Sequence, residues 1–331
     1  MSQQTILLVG HGSRVPTAVD QFHELTHALS AYLKQPVGHC FLELADPDLA
    51  AGLTGAAQQV GQGGTVTVLP LFLGGASHQK NDVAYAVQWA RQQFPEVSFR
   101  YGTQLGVHAK LVELLDLRVR ECLAAEPEAL PLERTAVLVV ARGSSDPDSN
   151  SDVAKLSRLL FEKRKYHTVE YAYQAVARPR VDDGVRRCHL LGAKQVVIAP
   201  FILFTGRVDA ELRYVSEQAG ESLGLPVLQA SYLGLHPLLV EVLAQRLQEA
   251  NDGTAAMTCD LCKYRFSMAG YEHQVGQPQG SHHLHGGSAH SHARHHHHHH
   301  DGEDDHHHHH DHEHGDHHHH DLEHEQEHHH H

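Results

Sequence analysis

The sequence predicts an α/β protein: two tandem, doubly wound parallel-sheet domains, followed by a disordered histidine-rich tail. Three observations predict it. Short, continuous apolar runs alternate with longer segments of helical spacing from residue 5 to about residue 250. Such runs are expected of parallel strands covered on both faces by helices. The order of runs then recurs at an offset of 130–131 residues, which marks an internal duplication. The last fifty residues, 282–331, hold 27 His, eleven Asp or Glu and one basic residue, Arg294. They carry too few apolar side chains to fold alone.

In the first repeat, runs at Thr5–Val9, Val37–Leu44, Thr65–Leu73 and Val97–Tyr101 predict four strands. Ala18–Leu33, Asp48–Gly61 and Asp82–Phe94 predict the helices between them. In the second repeat, strands are expected at Thr135–Ala141, Val169–Val176, Gln195–Ile202 and Pro226–Tyr232. Three motifs carry the duplication. His11 with its flanks aligns with Arg142, the run around Glu43 with that around Gln174, and the run around Pro70 with that around Pro200. The expected domains are 1–126 and 127–250, joined across the Ala-, Glu- and Pro-rich stretch Ala124–Arg134. A segment 251–281 follows, opened by Asn251-Asp252-Gly253, which ends the last helix. The tail is 282–331.

Charge narrows the function classes. The chain has 26 basic and 40 acidic residues, net −14, but outside the tail the count is 25 against 29. That near balance offers no basic footprint for nucleic acid. No run approaches the ~18–20 apolar residues of a membrane span. The first residues lack the pattern of a signal peptide, so a cytoplasmic protein is expected. Cys40, Cys122 and Cys188 lie in apolar stretches and are read as free buried thiols. Cys259 and Cys262 form a C-x-x-C pair, which in a reducing compartment points to metal or redox chemistry.

The candidate chemistry gathers at strand ends. His11 follows the first strand in Gly10-His11-Gly12-Ser13-Arg14. Ligands of open α/β sheets bind outside the carboxyl ends of strands, and the two glycines permit a tight turn there. Ser13, Arg14 and nearby backbone N–H groups can hold an anion. His78 follows the third strand and opens on the same edge, and Glu43 ends the second. Two imidazoles and a carboxylate can bind a divalent ion or move protons near neutral pH. The competing readings are a turn residue for His11 and a solvated carboxylate or a partner to a base for Glu43. In the second repeat Arg142 replaces His11, Gln174 replaces Glu43, and Val208 or Arg207 falls where His78 should be. One site between the repeats follows. Arg142 and Arg207 then face acidic ligand groups or make surface salt bridges. The tail's imidazoles and carboxylates suit cobalt, nickel or zinc, and the interleaved acids argue against a purification tag.

These residues resemble the class II tetrapyrrole chelatases. Gly10-His11-Gly12-Ser13-Arg14, Phe41-Leu42-Glu43 and the run from Pro70 to His78 carry the likeness over residues 5 to about 270. The duplication, Met257-Thr258-Cys259-Asp260-Leu261-Cys262 and the His-rich end are similar to the long form that inserts cobalt into sirohydrochlorin. The resemblance implies ATP-independent Co²⁺ insertion in a cleft between two flavodoxin-like halves, on an early-insertion route to cobalamin. It implies that His11 and His78 are paired metal-presenting, proton-accepting histidines assisted by Glu43. It also implies substrate contacts at Ser13, Arg14, Gly74, Gly75, Ala76, Ser77, Arg142 and Arg207, since sirohydrochlorin carries carboxylates that Arg suits. In the resembling proteins the Met-x-Cys-x-x-Cys motif is associated with an iron–sulfur centre. A [4Fe–4S] cluster usually takes four Cys. Two ligands must then come from elsewhere, such as a second subunit in a homodimer; a zinc site or an idle thiol pair are the alternatives. Other readings of the whole are iron or nickel insertion, a non-enzymatic metal store fed by the tail, and a histidine phosphatase. The last lacks the Arg that should precede His11, where Gly10 stands.

Overall fold

The computed structural model describes residues 3–270 and 272–278, and at 207, 209, 210 and 260 only the backbone. Each repeat forms a four-stranded, wholly parallel sheet. Strands β1 (Gln4–Gly10), β2 (Val37–Phe41), β3 (Thr65–Pro70) and β4 (Ser98–Tyr101) lie in the order β2-β1-β3-β4. Strands β5 (Thr135–Ala141), β6 (Thr168–Tyr173), β7 (Gln195–Pro200) and β8 (Val227–Gln229) repeat it as β6-β5-β7-β8. Helices α1 (Pro16–Leu33), α2 (Leu49–Val60) and α3 (Ala84–Gln93) pack on the first sheet, while α4 (Ala109–Ala125) crosses onto β7 of the second. Helices α5 (Pro147–Lys163), α6 (Val181–Leu190) and α7 (Arg207–Leu223) pack on the second, while α8 (Pro237–Asn251) crosses back onto β3 and β4 of the first.

The continuous apolar runs follow from burial on both faces. Side chains alternate across a strand. In β1, Ile6 and Leu8 enter a core shared by both halves, while Leu7 and Val9 enter an outer core of the first half. In β5, Val137 and Val139 enter the shared core, and Leu138 and Val140 enter an outer core of the second half. The shared core joins Phe22, Phe41 and Leu115 to Phe201, Leu233 and Leu243. Helix α8, the last of the described α-helices, also packs on α1 and α4. Its final residue, Asn251, accepts a hydrogen bond from Thr67 Oγ1 of β3 at 2.9 Å. The two halves are therefore one folding mass around a central layer.

Strands end earlier than the apolar runs suggest. β2 stops at Phe41 and not Leu44, and β3 at Pro70 and not Leu73. The trimmed residues turn into the loops above the sheet. Glu43 thus lies two residues beyond its strand, tied down by its N–H donating to the His11 carbonyl at 3.0 Å. A π-helical turn, His78–Val83, precedes α3, so the helix expected from Asp82 begins earlier and in another winding.

The duplication is preserved in the backbone where side chains diverge. Gly12 and Gly143 share φ near +89° and +88°, and Leu44 and Val176 share φ of 63° and 64°. The match also corrects the alignment. Glu43 N–H binds the His11 carbonyl, and its counterpart is Ala175 N–H on the Arg142 carbonyl at 2.8 Å. Ala175, not Gln174, occupies the Glu43 position, because the second repeat carries one extra residue between β5 and β6. Among the described residues no helix is long and apolar enough to cross a membrane. The expected unfolded tail, 282–331, lies outside the described residues.

Candidate active site

His11 leaves β1 on a turn that only glycine neighbours allow. A Cβ on Gly12 would stand 1.7 Å from the Glu43 carbonyl oxygen, and Gly12 also needs positive φ. A Cβ on Gly10 would stand 2.6 Å from the Phe22 ring. Close approach of the two loops brings His11 Nδ1 to 3.7 Å from Glu43 Oε1, an electrostatic contact longer than a hydrogen bond. His78 opens the π-helical turn and meets His11 edge to face, with ring centroids 5.0 Å apart and planes at 87°. The structure therefore brings together His11, Glu43 and His78.

Asp82, which the sequence analysis passed over as a site residue, holds His78. Its Oδ2 lies 3.0 Å from His78 Nδ1, and its side chain is nearly buried. A carboxylate at this distance accepts from an Nδ1–H, which fixes the ring's orientation and turns Nε2 away from Asp82. The i,i+4 spacing of His78 and Asp82 was the available signal. His11 Nε2 is shielded from solvent and has no hydrogen-bond partner among the described residues. Burial, reinforced by His78 and Arg142 and opposed by Glu43, holds the His11 imidazole below its ordinary pKa. His11 is thus neutral at neutral pH, with a lone pair to give to a proton or a metal.

The other expected contacts divide. Arg142 lines a cavity of about 300 Å³ with His11, Ser13, Phe22, Phe41 and Phe204. Ser13 Oγ accepts from the Val15 N–H at 3.0 Å and starts α1. Arg14 is exposed and does not line that cavity. The loop Gly74-Gly75-Ala76-Ser77 leads into His78. A Cβ on Gly74 would sit 2.4 Å from Ser149 Oγ and one on Gly75 2.8 Å from Gln104 Nε2, so both glycines serve close packing. The Arg207 side chain lies outside the described residues; its backbone opens α7 as His78 opens the π-helical turn.

Cys40, Cys122 and Cys188 lie on β2, α4 and α6, and burial raises the pKa of each thiol, that of Cys188 to about 12. They form, among the described residues, no metal-holding group with Cys259 and Cys262. Among the described residues no three His, Cys, Asp or Glu are arranged to hold a metal ion. The Cys259–Cys262 pair thus supplies two sulfur ligands and does not by itself make a four-cysteine cluster.

Two four-stranded parallel sheets with paired open imidazoles at the strand ends define a class II tetrapyrrole chelatase. The CbiX family model matches residues 5–122 and 136–250, and the chain belongs to that family. It is 38% identical over 268 residues to the sirohydrochlorin cobaltochelatase of Priestia megaterium, covering 80% of this chain and 86% of that one. It is 32% identical over 245 residues to the sirohydrochlorin ferrochelatase of the same organism, covering 73% and 89%. The solved structure of SirB from Bacillus subtilis with Fe³⁺ superposes with a TM-score of 0.67 at 27% identity, covering 76% of this chain and 98% of that one.

Proposed function

We propose that the protein inserts Co²⁺ into sirohydrochlorin without ATP, on an early-insertion route to cobalamin. The carrying observation is the His11–His78 pair: two imidazole rings with centroids 5.0 Å apart, that of His11 half-buried with its Nε2 shielded from solvent and unbonded among the described residues. Insertion removes two pyrrole N–H protons. Neutral His11 accepts them in turn, the first passing to solvent by way of Glu43 before the second arrives. His78, oriented by Asp82, offers Nε2 to the incoming ion, and Glu43 stabilises the imidazolium of His11 and passes its proton on. Arg142 faces the peripheral carboxylates of the macrocycle, together with Arg207 and Arg14. Iron is the second reading, favoured by the likeness to the ferrochelatase; the His-rich tail favours cobalt or nickel. The tail stores or buffers the metal. An iron–sulfur cluster at Cys259 and Cys262 needs two ligands from outside the described chain, which a second copy can provide. Five free cysteines suit a cytoplasmic setting.

The test is anaerobic absorbance with sirohydrochlorin and Co²⁺, Ni²⁺ or Fe²⁺ in turn. Fastest catalysed conversion with cobalt is expected. A variant ending at residue 281 should keep that rate while binding fewer metal ions per chain. No acceleration with any metal would overturn the enzymatic reading, and a faster rate with iron would replace cobalt.

The pH dependence follows from His11. A pKa lowered in the folded enzyme means the native state takes up its proton less readily than the unfolded chain. Any stability linked to neutral His11 is therefore present above its unfolded value of 6.5 and is lost as pH falls through that region. The acid limb of kcat/KM should lie below pH 6.5. A limb centred above pH 7 would assign the titrating group elsewhere.

A further inference from the structure

We propose that a buried ionic clamp, Lys80–Asp148 closed by Thr258, positions His78 for metal insertion. The second half and the Cys-x-x-Cys segment thereby hold a histidine that belongs to the first half. The proposal rests on the reading of His78 as an insertion residue. It starts from the π-helical turn. Gln79, Lys80, Asn81 and Asp82 are four consecutive polar side chains, none more than 9% exposed, directly after His78. Burying polar and charged groups is unfavourable unless each finds a partner. The partners come from three separate parts of the chain.

The second half supplies the carboxylates. Lys80 Nζ donates to Asp148 Oδ2 at 2.7 Å and lies 3.5 Å from Asp146 Oδ1. Both acids sit at the start of α5, where Asp146 accepts the Asp148 N–H at 3.1 Å, so their placement is rigid. The next residue, Ser149, is the one against which Gly74 of the His78 loop packs. The C-terminal segment supplies the closure. Thr258 Oγ1 donates to the same Oδ2 of Asp148, and Gln79 Nε2 donates to Met257 Sδ at 3.4 Å. Strand β4 and its loop supply the rest: Gln79 Nε2 reaches Gln104 Oε1 at 2.9 Å, and Tyr101 donates to the Gln79 carbonyl at 2.8 Å.

The consequence is geometric. Asp82 aims the His78 ring, and the clamp places the turn that carries both. A buried ion pair is weak evidence for stability, because apolar side chains of similar volume often do as well. Its directed bonds instead fix one register of the turn relative to α5. Insertion needs two imidazoles at a set separation, and about 1 Å of misplacement can cost on the order of 10²-fold in rate. The half that lacks the histidines thus has a task besides walling the cleft.

Steady-state insertion by full-chain variants tests this. Thr258→Val keeps the volume and removes the hydroxyl; Thr258→Ser keeps the hydroxyl. Thr258→Val should lower kcat about tenfold with KM for sirohydrochlorin unchanged, and Thr258→Ser should restore the parent rate. Lys80→Met combined with Asp146→Asn and Asp148→Leu, which removes all three charges, should lower kcat about 10²-fold. Should that triple variant fail to fold, the Thr258 comparison decides alone. Parent kcat in Thr258→Val while His78→Ala is inactive overturns the clamp and leaves the site intact. Parent activity in His78→Ala instead overturns the site reading, and the clamp's role with it.

Discussion

Alanine at His11 or His78 is expected to lower insertion by two to four orders of magnitude, the span typical of losing a positioned general base. The fold should survive. Both side chains are about one third exposed, and neither belongs to the apolar cores. Thermal midpoints close to the parent's would confirm that catalysis alone has been lost. The two substitutions should not be additive, because the histidines act on one metal ion and one macrocycle. His11→Ala removes a neutral base whose Nε2 has no competing partner among the described residues. His78→Ala removes the nitrogen that Asp82 orients. The decisive case is the double variant: metallation at the parent rate would remove both residues from the site.

Gly12→Ala should be the most damaging change that touches no catalytic side chain. Its φ of +89° costs an alanine about 1–2 kcal/mol. The new methyl would also lie 1.7 Å from the Glu43 carbonyl oxygen, so the two loops must part. Parting them breaks the bond from Glu43 N–H to the His11 carbonyl and separates the carboxylate from the imidazole. Gly143→Ala is the internal control. It has φ of +88° and would place its methyl 2.0 Å from the Ala175 carbonyl oxygen, so its cost to stability should be similar. The loops it parts carry Arg142 and Ala175, not His11 and Glu43. Equal drops in thermal midpoint, with insertion lost at least tenfold more in Gly12→Ala, are expected. Equal losses of activity would mean that His11 and Glu43 do not depend on this turn.

The class of fold was legible because strands buried on both faces leave continuous apolar runs, and a duplicated unit leaves its pattern twice. His11, Glu43 and His78 were legible because loops at strand ends are where such sheets place ligands. The limits of the same signals are visible. An apolar run does not mark where a strand stops pairing, so Glu43 was set at a strand end. A degenerate apolar repeat does not register a single inserted residue, so Gln174 was matched where Ala175 belongs.

The sequence by itself determined the parallel α/β architecture, the duplication and the residue types that can handle a metal. Only the tertiary structure decided that the two halves share one core. It also decided that Asp82 orients His78, and that Lys80 meets Asp148 and Thr258. Lys80 and Asp148 are 68 residues apart, and Asp148 and Thr258 are 110 apart. Periodicity reports how a segment meets its immediate surroundings. Contacts between distant segments depend on how whole layers pack, and a run of buried polar residues such as Gln79 to Asp82 becomes interpretable only when its partners are in place.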